Sequence, residues 1–322
     1  MPDSPTAATA TLTADAVNDA ADRVKGRIRS VAVTPVDPGV FGEADVWLAL
    51  EFMQHTGSFK ARGAANLAAA HQEDGTMPES GVVIASGGNA GLACAWAARA
   101  TGTRATVFLP TTAPAVKIER LATYGADVRL VGTEYADALA ASIQYAAAEG
   151  ALLSHAYDNP LIAAGAGTCA LEIGDQLPAL DTIVVAVGGG GLFSGTAAAM
   201  LPRGVRVVAV EPENCRALNA ALEAGGPVDV TVDSVAADSL GARRASAMSH
   251  RLASDPLVRS VLVTDDAIVE ARRGLWEDRR VAVEHGGAAA LAALTSGVFV
   301  PEPGERVAVV VCGANTDVRS LA

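Results

Sequence analysis

Short runs rich in Val and other β-branched residues alternate along the chain with longer Ala-rich stretches. The runs are "VWLALE", "GVVIAS", "ATVFLP", "DVRLVG", "TIVVAV", "VRVVAV", "SVLVT" and "RVAVVVC", and each has the length and composition of a strand. Because helical stretches separate most of them, the pattern predicts an α/β fold whose mostly parallel sheet is covered on both faces. Ahead of the first run, Val17, Ala21, Val24 and Ile28 recur at helical spacing behind Thr13, a residue suited to capping. One amphipathic helix is therefore expected over 14–29.

No repeat of solenoid period is evident, and no low-complexity linker divides the chain after residue 12. Any two lobes must then be interleaved. The opening residues, "MPDSPTAATATL", are rich in Pro, Thr and Ala and carry Asp3 where a secretory signal would carry positive charge. They are expected to form a disordered tail over 1–12. With 322 residues, 50% of them apolar, the chain has ample length for a core, yet no apolar run approaches the length that spans a bilayer. A net charge of -12 argues against binding a phosphate backbone. Neither a membrane nor a nucleic acid is expected as partner. Cys94, Cys169, Cys215 and Cys312 lie far apart with no zinc-like spacing, which suits reduced thiols in a cytosol.

Ligands of open parallel sheets gather beyond the carboxyl ends of strands. Three such segments are unusual here. In "VAVGGGGLFSG", Gly188, Gly189, Gly190 and Gly191 link a strand to an apolar helix, so successive N–H groups can converge on an anion at a helix N-terminus. A tight turn alone explains one or two of these glycines; a phosphate explains four. The loop is not a Walker A sequence, nor does it match the GxGxxG spacing. In "ASGGNAG", Ser86 and Asn89 place a hydroxyl and an amide beside Gly87, Gly88 and exposed helix N–H groups, suited to a carboxylate or a phenolic oxygen, although an ordinary capped turn has the same look. In "VVVCGAN", Cys312 closes the last strand. By itself it reads as a small buried hydrophobe.

Lysine is rare in this chain, which has only Lys25, Lys60 and Lys117 beside many arginines. Lysine differs from arginine in being able to lose its proton and attack a carbonyl as a free amine. In "HTGSFKARGAANL", Lys60 stands among small residues at a helix start. Together with a phosphate cradle and a carboxylate-sized loop, it outlines a site for an aldehyde-and-phosphate cofactor, pyridoxal 5'-phosphate (PLP).

The motifs also resemble a family. Thr34–Pro35, "GSFKARGA", "SGGNAG", "PAVKIERLATYGADVRLVG", "YDNPLIAAGAGT", "VGGGGLFSG", "VEP", "VEHGGAAALAA" and "CGAN" appear in the order of the fold type II PLP enzymes, and within them the serine/threonine dehydratases. The resemblance runs from about Ser30 to Asp317. It implies a tryptophan-synthase-β-like α/β fold of two interleaved lobes: a large lobe of about 13–79 plus 159–322 and a small lobe of about 80–158. It also implies a homodimer, expected in the cytoplasm, and because the chain ends within a few residues of "CGANTD" no regulatory domain is expected after the catalytic unit. By position it makes Lys60 the residue that carries PLP and acts as base, with Phe59 packed near the ring. Asn89 falls to the phenolic oxygen, Gly188 to Gly191 to the phosphate, Ser86, Gly87, Gly88 and Asn89 to the substrate, and Cys312 to the pyridine nitrogen. The implied reaction is β-elimination of L-threonine, and of L-serine, to a 2-oxo acid and ammonia. Kept beside it are a dehydratase for 3-hydroxyaspartate or phenylserine, a β-replacing synthase, and a non-catalytic sensor.

Several positions depart from relatives. Ala90 stands where many threonine dehydratases have His, and Gly87 stands where the serine racemases have a second Ser, which removes a proton donor and argues against racemisation. Glu211 has Ala217 six residues on in place of an Asp, so a metal site is not expected. Ser239 replaces a family glycine, for which Gly241 is a substitute. Arg243 and Arg244 read either as a solvated pair or as favouring an acidic substrate such as 3-hydroxyaspartate, and Tyr157 and Asp158 either as pocket residues or as helix-start packing.

Overall fold

A computed structural model describes residues 12–321. The strands are β1 Val33–Pro35, β2 Asp45–Ala49, β3 Val82–Ala85, β4 Ala105–Leu109, β5 Asp127–Leu130, β6 Leu152–Leu153, β7 Thr182–Ala186, β8 Arg206–Pro212, β9 Val258–Val263 and β10 Arg306–Val310. The helices are α1 Ala14–Val24, α2 Lys60–Glu73, α3 Asn89–Ala100, α4 Ala115–Thr123, α5 Tyr135–Glu149 and α6 Pro160–Gln176, followed by α7 Gly191–Met200, α8 Ala217–Ala224, α9 Ala237–Leu240, α10 Ala247–Ala253, α11 Asp265–Arg279 and α12 His285–Thr295. All eight expected strands are present. The two additions, β1 and β6, have three and two residues, too few to leave a pattern.

The strands form two sheets. One has the order β1-β2-β10-β7-β8-β9 and is parallel except for β1, which runs antiparallel to β2. The other has the order β5-β4-β3-β6 and is parallel throughout. β3, β4 and β7 are buried at every position. Helices on both faces account for their unbroken apolar runs.

Small residues bring three helices together behind the site. A Cβ on Gly63 of α2 would lie 2.6 Å from the Ile162 carbonyl oxygen of α6, and one on Gly195 of α7 would lie 2.2 Å from that of Ala163. Backbone therefore touches backbone across α2, α6 and α7, a spacing that any side chain there would break. Arg62 ties the same region from within. It is fully buried and donates to both oxygens of Glu51 (2.6 and 2.9 Å) and both of Glu172 (2.7 and 3.0 Å). Burial still raises the Glu51 carboxyl above its usual range, against the pull of Arg62.

Two expectations at the N-terminus change. Residues 1–11 of the expected tail lie outside the described residues, but Leu12, placed in that tail, is buried and packs into the main core. Thr13 caps α1 as expected, accepting from the Ala16 N–H at 3.2 Å. The helix ends at Val24, not at residue 29, because Lys25 leaves helical dihedrals and Gly26 turns left-handed at φ 75°.

Candidate active site

Lys60 opens α2 directly after a turn in which Thr56 and Gly57 take φ of 62° and 77°. The segment leaving β10 runs alongside that turn. Phe59 donates its N–H to the Cys312 carbonyl at 3.0 Å, and Ser58 bridges Gly313. Residues far apart in the chain, Lys60 and Cys312, are thereby held as neighbours. The lysine Nζ donates to the Ala156 carbonyl at 2.7 Å and lies 4.7 Å from the centre of the Phe59 ring. Burial lowers its pKa to about 8, against the opposing pull of Cys312 and Glu284. Cys312 is itself pushed up to about 12 by burial, with Glu284 adding to the effect, so it stays a neutral thiol.

The four glycines follow β7; neighbours leave no room for a side chain at Gly189 and Gly190 and only tight room at Gly188 and Gly191. A Cβ on Gly189 would meet the Tyr157 ring at 2.4 Å, one on Gly190 the Ser249 hydroxyl at 2.5 Å, one on Gly188 Leu240 at 3.0 Å and one on Gly191 Tyr157 again at 3.0 Å. Gly190 also needs its φ of 99° to enter α7, whose N-terminus no side chain caps. Tyr157 lies over this loop and donates its hydroxyl to the Arg244 carbonyl at 3.1 Å. His155 steadies the preceding turn, its Nδ1 accepting from the N–H groups of Tyr157 and Asp158 at 3.3 and 2.9 Å.

The other loop leaves β3 at Ser86 and enters α3, also without a side-chain cap. Ser86 accepts weakly from the Gly88 N–H at 3.4 Å. Asn89 donates to Glu284 at 2.7 Å, and its oxygen accepts from the Asn315 amide at 2.6 Å. Burial raises Glu284 to about 7, against the hydrogen bond from Asn89. Gly87, Gly88, Asn89, Lys117, Arg120, Ser239, Glu284 and Asn315 line a small cavity open to solvent.

Glu284, Asn315, Lys117 and Arg120 escaped the sequence reading as site residues. Lys117 carried a usable signal, since its rarity is the argument that singled out Lys60. Other expected positions lie elsewhere. Gly241 packs under Ala237 and Val232, so Ser239 faces the cavity in its place. Arg244 pairs with Asp229 on the surface at 2.9 Å, and neither Arg243 nor Arg244 lines the cavity. Asp158 is exposed. Glu211 accepts from the N–H groups of Leu218 and Asn219 at 2.7 and 2.8 Å, which caps α8, and among the described residues no cluster of His, Cys, Asp or Glu could hold a metal.

This donor set fits PLP. An amine of lowered pKa lies beside a neutral thiol and is tied through the Ala156 carbonyl to the segment whose Tyr157 packs on the glycine loop, whereas Lys60, Cys312 and that loop do not line the cavity at Asn89. Ser58 and Ser194, beside Lys60 and within the first turns of α7, have buried hydroxyls without hydrogen-bond partners among the described residues, as suits a site completed by a polar group. Comparison with known proteins agrees. Residues 31–313 match the family described as pyridoxal-phosphate dependent enzyme. The chain is 32% identical over 311 residues to the L-threonine ammonia-lyase of Geobacter sulfurreducens, covering 95% of this chain and 76% of that one. Its fold superposes on maize serine racemase with a TM-score of 0.90 at 29% identity, over 97% of this chain and 96% of the other. It superposes on the threonine deaminase of T.th. with a TM-score of 0.86 at 28% identity, over 95% and 99%. Motifs, fold and the extent of these matches lead to one conclusion: the chain belongs to the pyridoxal-phosphate dependent enzymes.

Proposed function

We propose that the protein deaminates L-threonine, and L-serine as a second substrate, to a 2-oxo acid and ammonia. The observation that carries this reading is Lys60, an amine of lowered pKa held on the Ala156 carbonyl, next to the Tyr157 that packs on the glycine loop. Relatives named for threonine support the substrate. PLP, when bound, supplies a carbonyl for the substrate amine and a sink for the electrons of the Cα–H bond.

The chain's own residues do the rest. The N–H groups of Gly188 to Gly191 hold the phosphate at the start of α7. Asn89 donates to the phenolic oxygen. Ser86, Gly87, Gly88 and the free N–H groups of α3 receive the substrate carboxylate. With a pKa of about 8, roughly a tenth of Lys60 is a free base at pH 7, and it takes the Cα proton. The hydroxyl leaves Cβ as water, its added proton balancing the one that Lys60 took from Cα, and hydrolysis of the resulting enamine gives the 2-oxo acid and ammonia. A neutral Cys312 thiol cannot keep a pyridine nitrogen protonated, which favours prompt loss of the hydroxyl over return of a proton to Cα. Gly87 supplies no hydroxyl for a proton on the opposite face, so serine is not expected to racemise.

Two lobes forming a single catalytic unit, with boundaries near 79/80 and 158/159, and a cytoplasmic homodimer complete this reading; sedimentation of the purified protein checks the dimer. The main test is 2-oxo acid release from L-threonine, L-serine, threo-3-hydroxyaspartate and 3-phenylserine by PLP-loaded protein. Rapid 2-oxobutanoate formation from threonine is expected. Activity confined to another member of the panel would move the substrate, and silence across it, with acetate released from O-acetylserine and sulfide, would replace elimination by β-replacement. Lys60→Ala should abolish turnover and the visible absorbance of the bound cofactor.

A further inference from the structure

Asn89 can serve a phenolic oxygen only if its Nδ2, and not its Oδ1, faces the cleft. A free asparagine amide has no such preference. In this structure the choice is made by neighbours that each act in one sense only. The Thr56 carbonyl can only accept, and the Asn315 Nδ2 donates to it at 2.8 Å. The Arg120 guanidinium can only donate, and it donates to the Asn315 Oδ1 at 2.5 Å. Asn315 is therefore locked at both ends. Its Nδ2 then meets Asn89 at 2.6 Å, which must present Oδ1 to it. The Asn89 Nδ2 is turned the other way and gives a hydrogen to Glu284 at 2.7 Å, in a residue that lines the cavity. The Asn315 backbone N–H also donates to Glu284 at 3.1 Å, which pins the carboxylate that receives from Asn89.

We propose that Asn315 is a positioning residue, which sets the Asn89 amide so that it donates to the cofactor's phenolic oxygen. The assignment rests on the reading of Asn89 given above. It also explains Gly313. A Cβ there would lie 2.3 Å from the Glu284 Oε1 and 3.5 Å from the Asn89 Nδ2, so the carboxylate can close on the amide only because residue 313 has no side chain. Thr56, left-handed in the turn that delivers Lys60, shares the same anchor. One side chain thus orders the lysine's turn and the amide on the opposite loop together.

The test replaces donor by acceptor at constant shape. In Asn315→Asp the carboxylate draws the Asn89 Nδ2 toward itself, so Oδ1 faces the phenolic oxygen and that oxygen takes up a proton. The bound cofactor should lose visible absorbance to the ultraviolet, read as a band ratio without any substrate present, and kcat/KM should fall roughly tenfold or more, the size of one lost hydrogen bond to a charged group. Asn315→Ala, which removes the constraint without reversing it, should shift the band ratio in the same direction and by less. Band ratios of wild-type value in both variants would overturn the proposal. Because the ratio needs only bound cofactor, a wrong substrate assignment would leave it standing, and a wild-type ratio would sink it even if threonine proves to be the substrate.

Discussion

Lys60 is a residue whose chemistry and whose contribution to stability have opposite signs. Burial lowers its pKa from 10.5 to about 8, so the folded protein without cofactor binds the lysine proton less tightly than the unfolded chain does. The cost is fully present below pH 8 and is relieved as pH rises from 8 to 10.5. Lys60→Met should therefore stabilise the cofactor-free protein by about 2 to 3 kcal/mol at pH 7, an advantage that vanishes near pH 10.5. Urea unfolding of the two proteins across that range measures it. Taking the difference cancels buried thiols that do not face Lys60, such as Cys94, whose raised pKa works in the other sense. A variant less stable than the parent at pH 7 would contradict the account. Arg62 has the reverse character. Its loss in Arg62→Leu strands Glu51 in the core, and a destabilisation of about 3 to 5 kcal/mol is expected by urea unfolding. Arg62→Lys should recover only part of it, because an ammonium cannot match both Glu51 oxygens.

At the scale of elements, the turn from β7 into α7 is built by glycines for two reasons. Gly190 needs a left-handed backbone, whereas Gly189 needs no side chain because the Tyr157 ring occupies that space. Gly189→Ala should then act as overpacking, costing about 1 to 3 kcal/mol and a matching fall in PLP affinity measured by fluorescence titration. Tyr157→Ala in the same chain should restore much of the affinity, a coupling that Gly190→Ala would not share with Tyr157. Lack of any rescue would mean that the ring is not what Gly189 accommodates.

Across the whole molecule, α4 belongs with the four-stranded sheet yet reaches residues of the six-stranded one. Lys117 pairs with Asp238 of α9 at 2.6 Å, and Arg120 donates to Asn315 beyond β10. The first pair is partly exposed, so Lys117→Ala should change global stability by less than about 1 kcal/mol. Its effect should appear in substrate binding, because the Lys117–Asp238 pair stands at the wall of the cavity. A KM raised severalfold at low salt is expected, converging on the wild-type value as rising salt screens the pair. A KM difference that persists unchanged in 1 M salt, where the screening length is about 3 Å, would show that the lysine acts by direct contact instead.

Much of this was legible in the sequence, because local chemistry decides it. Val-rich runs between Ala-rich stretches dictate strands between helices, and four successive glycines before an apolar helix mark a crowded turn, although the sequence did not show that Tyr157, Ser249 and Leu240 are what crowd it. The rarity of lysine marked Lys60. Short-range spacing misjudged the end of α1, where Gly26 stops a helix that periodicity would continue to Ile28, and it could not find β1 or β6. What only the tertiary structure decided is which distant residues meet. Glu284 and Asn315 are separated from Asn89 by 195 and 226 positions, and no periodicity connects them. Hydrogen-bond direction, burial and the shift of Lys60 to about 8 exist only once the two sheets bring those residues within about 3 Å. The sequence by itself determined the elements and the reactive groups; the packing of the sheets determined their orientation and their protonation, because both depend on neighbours that the chain order does not specify.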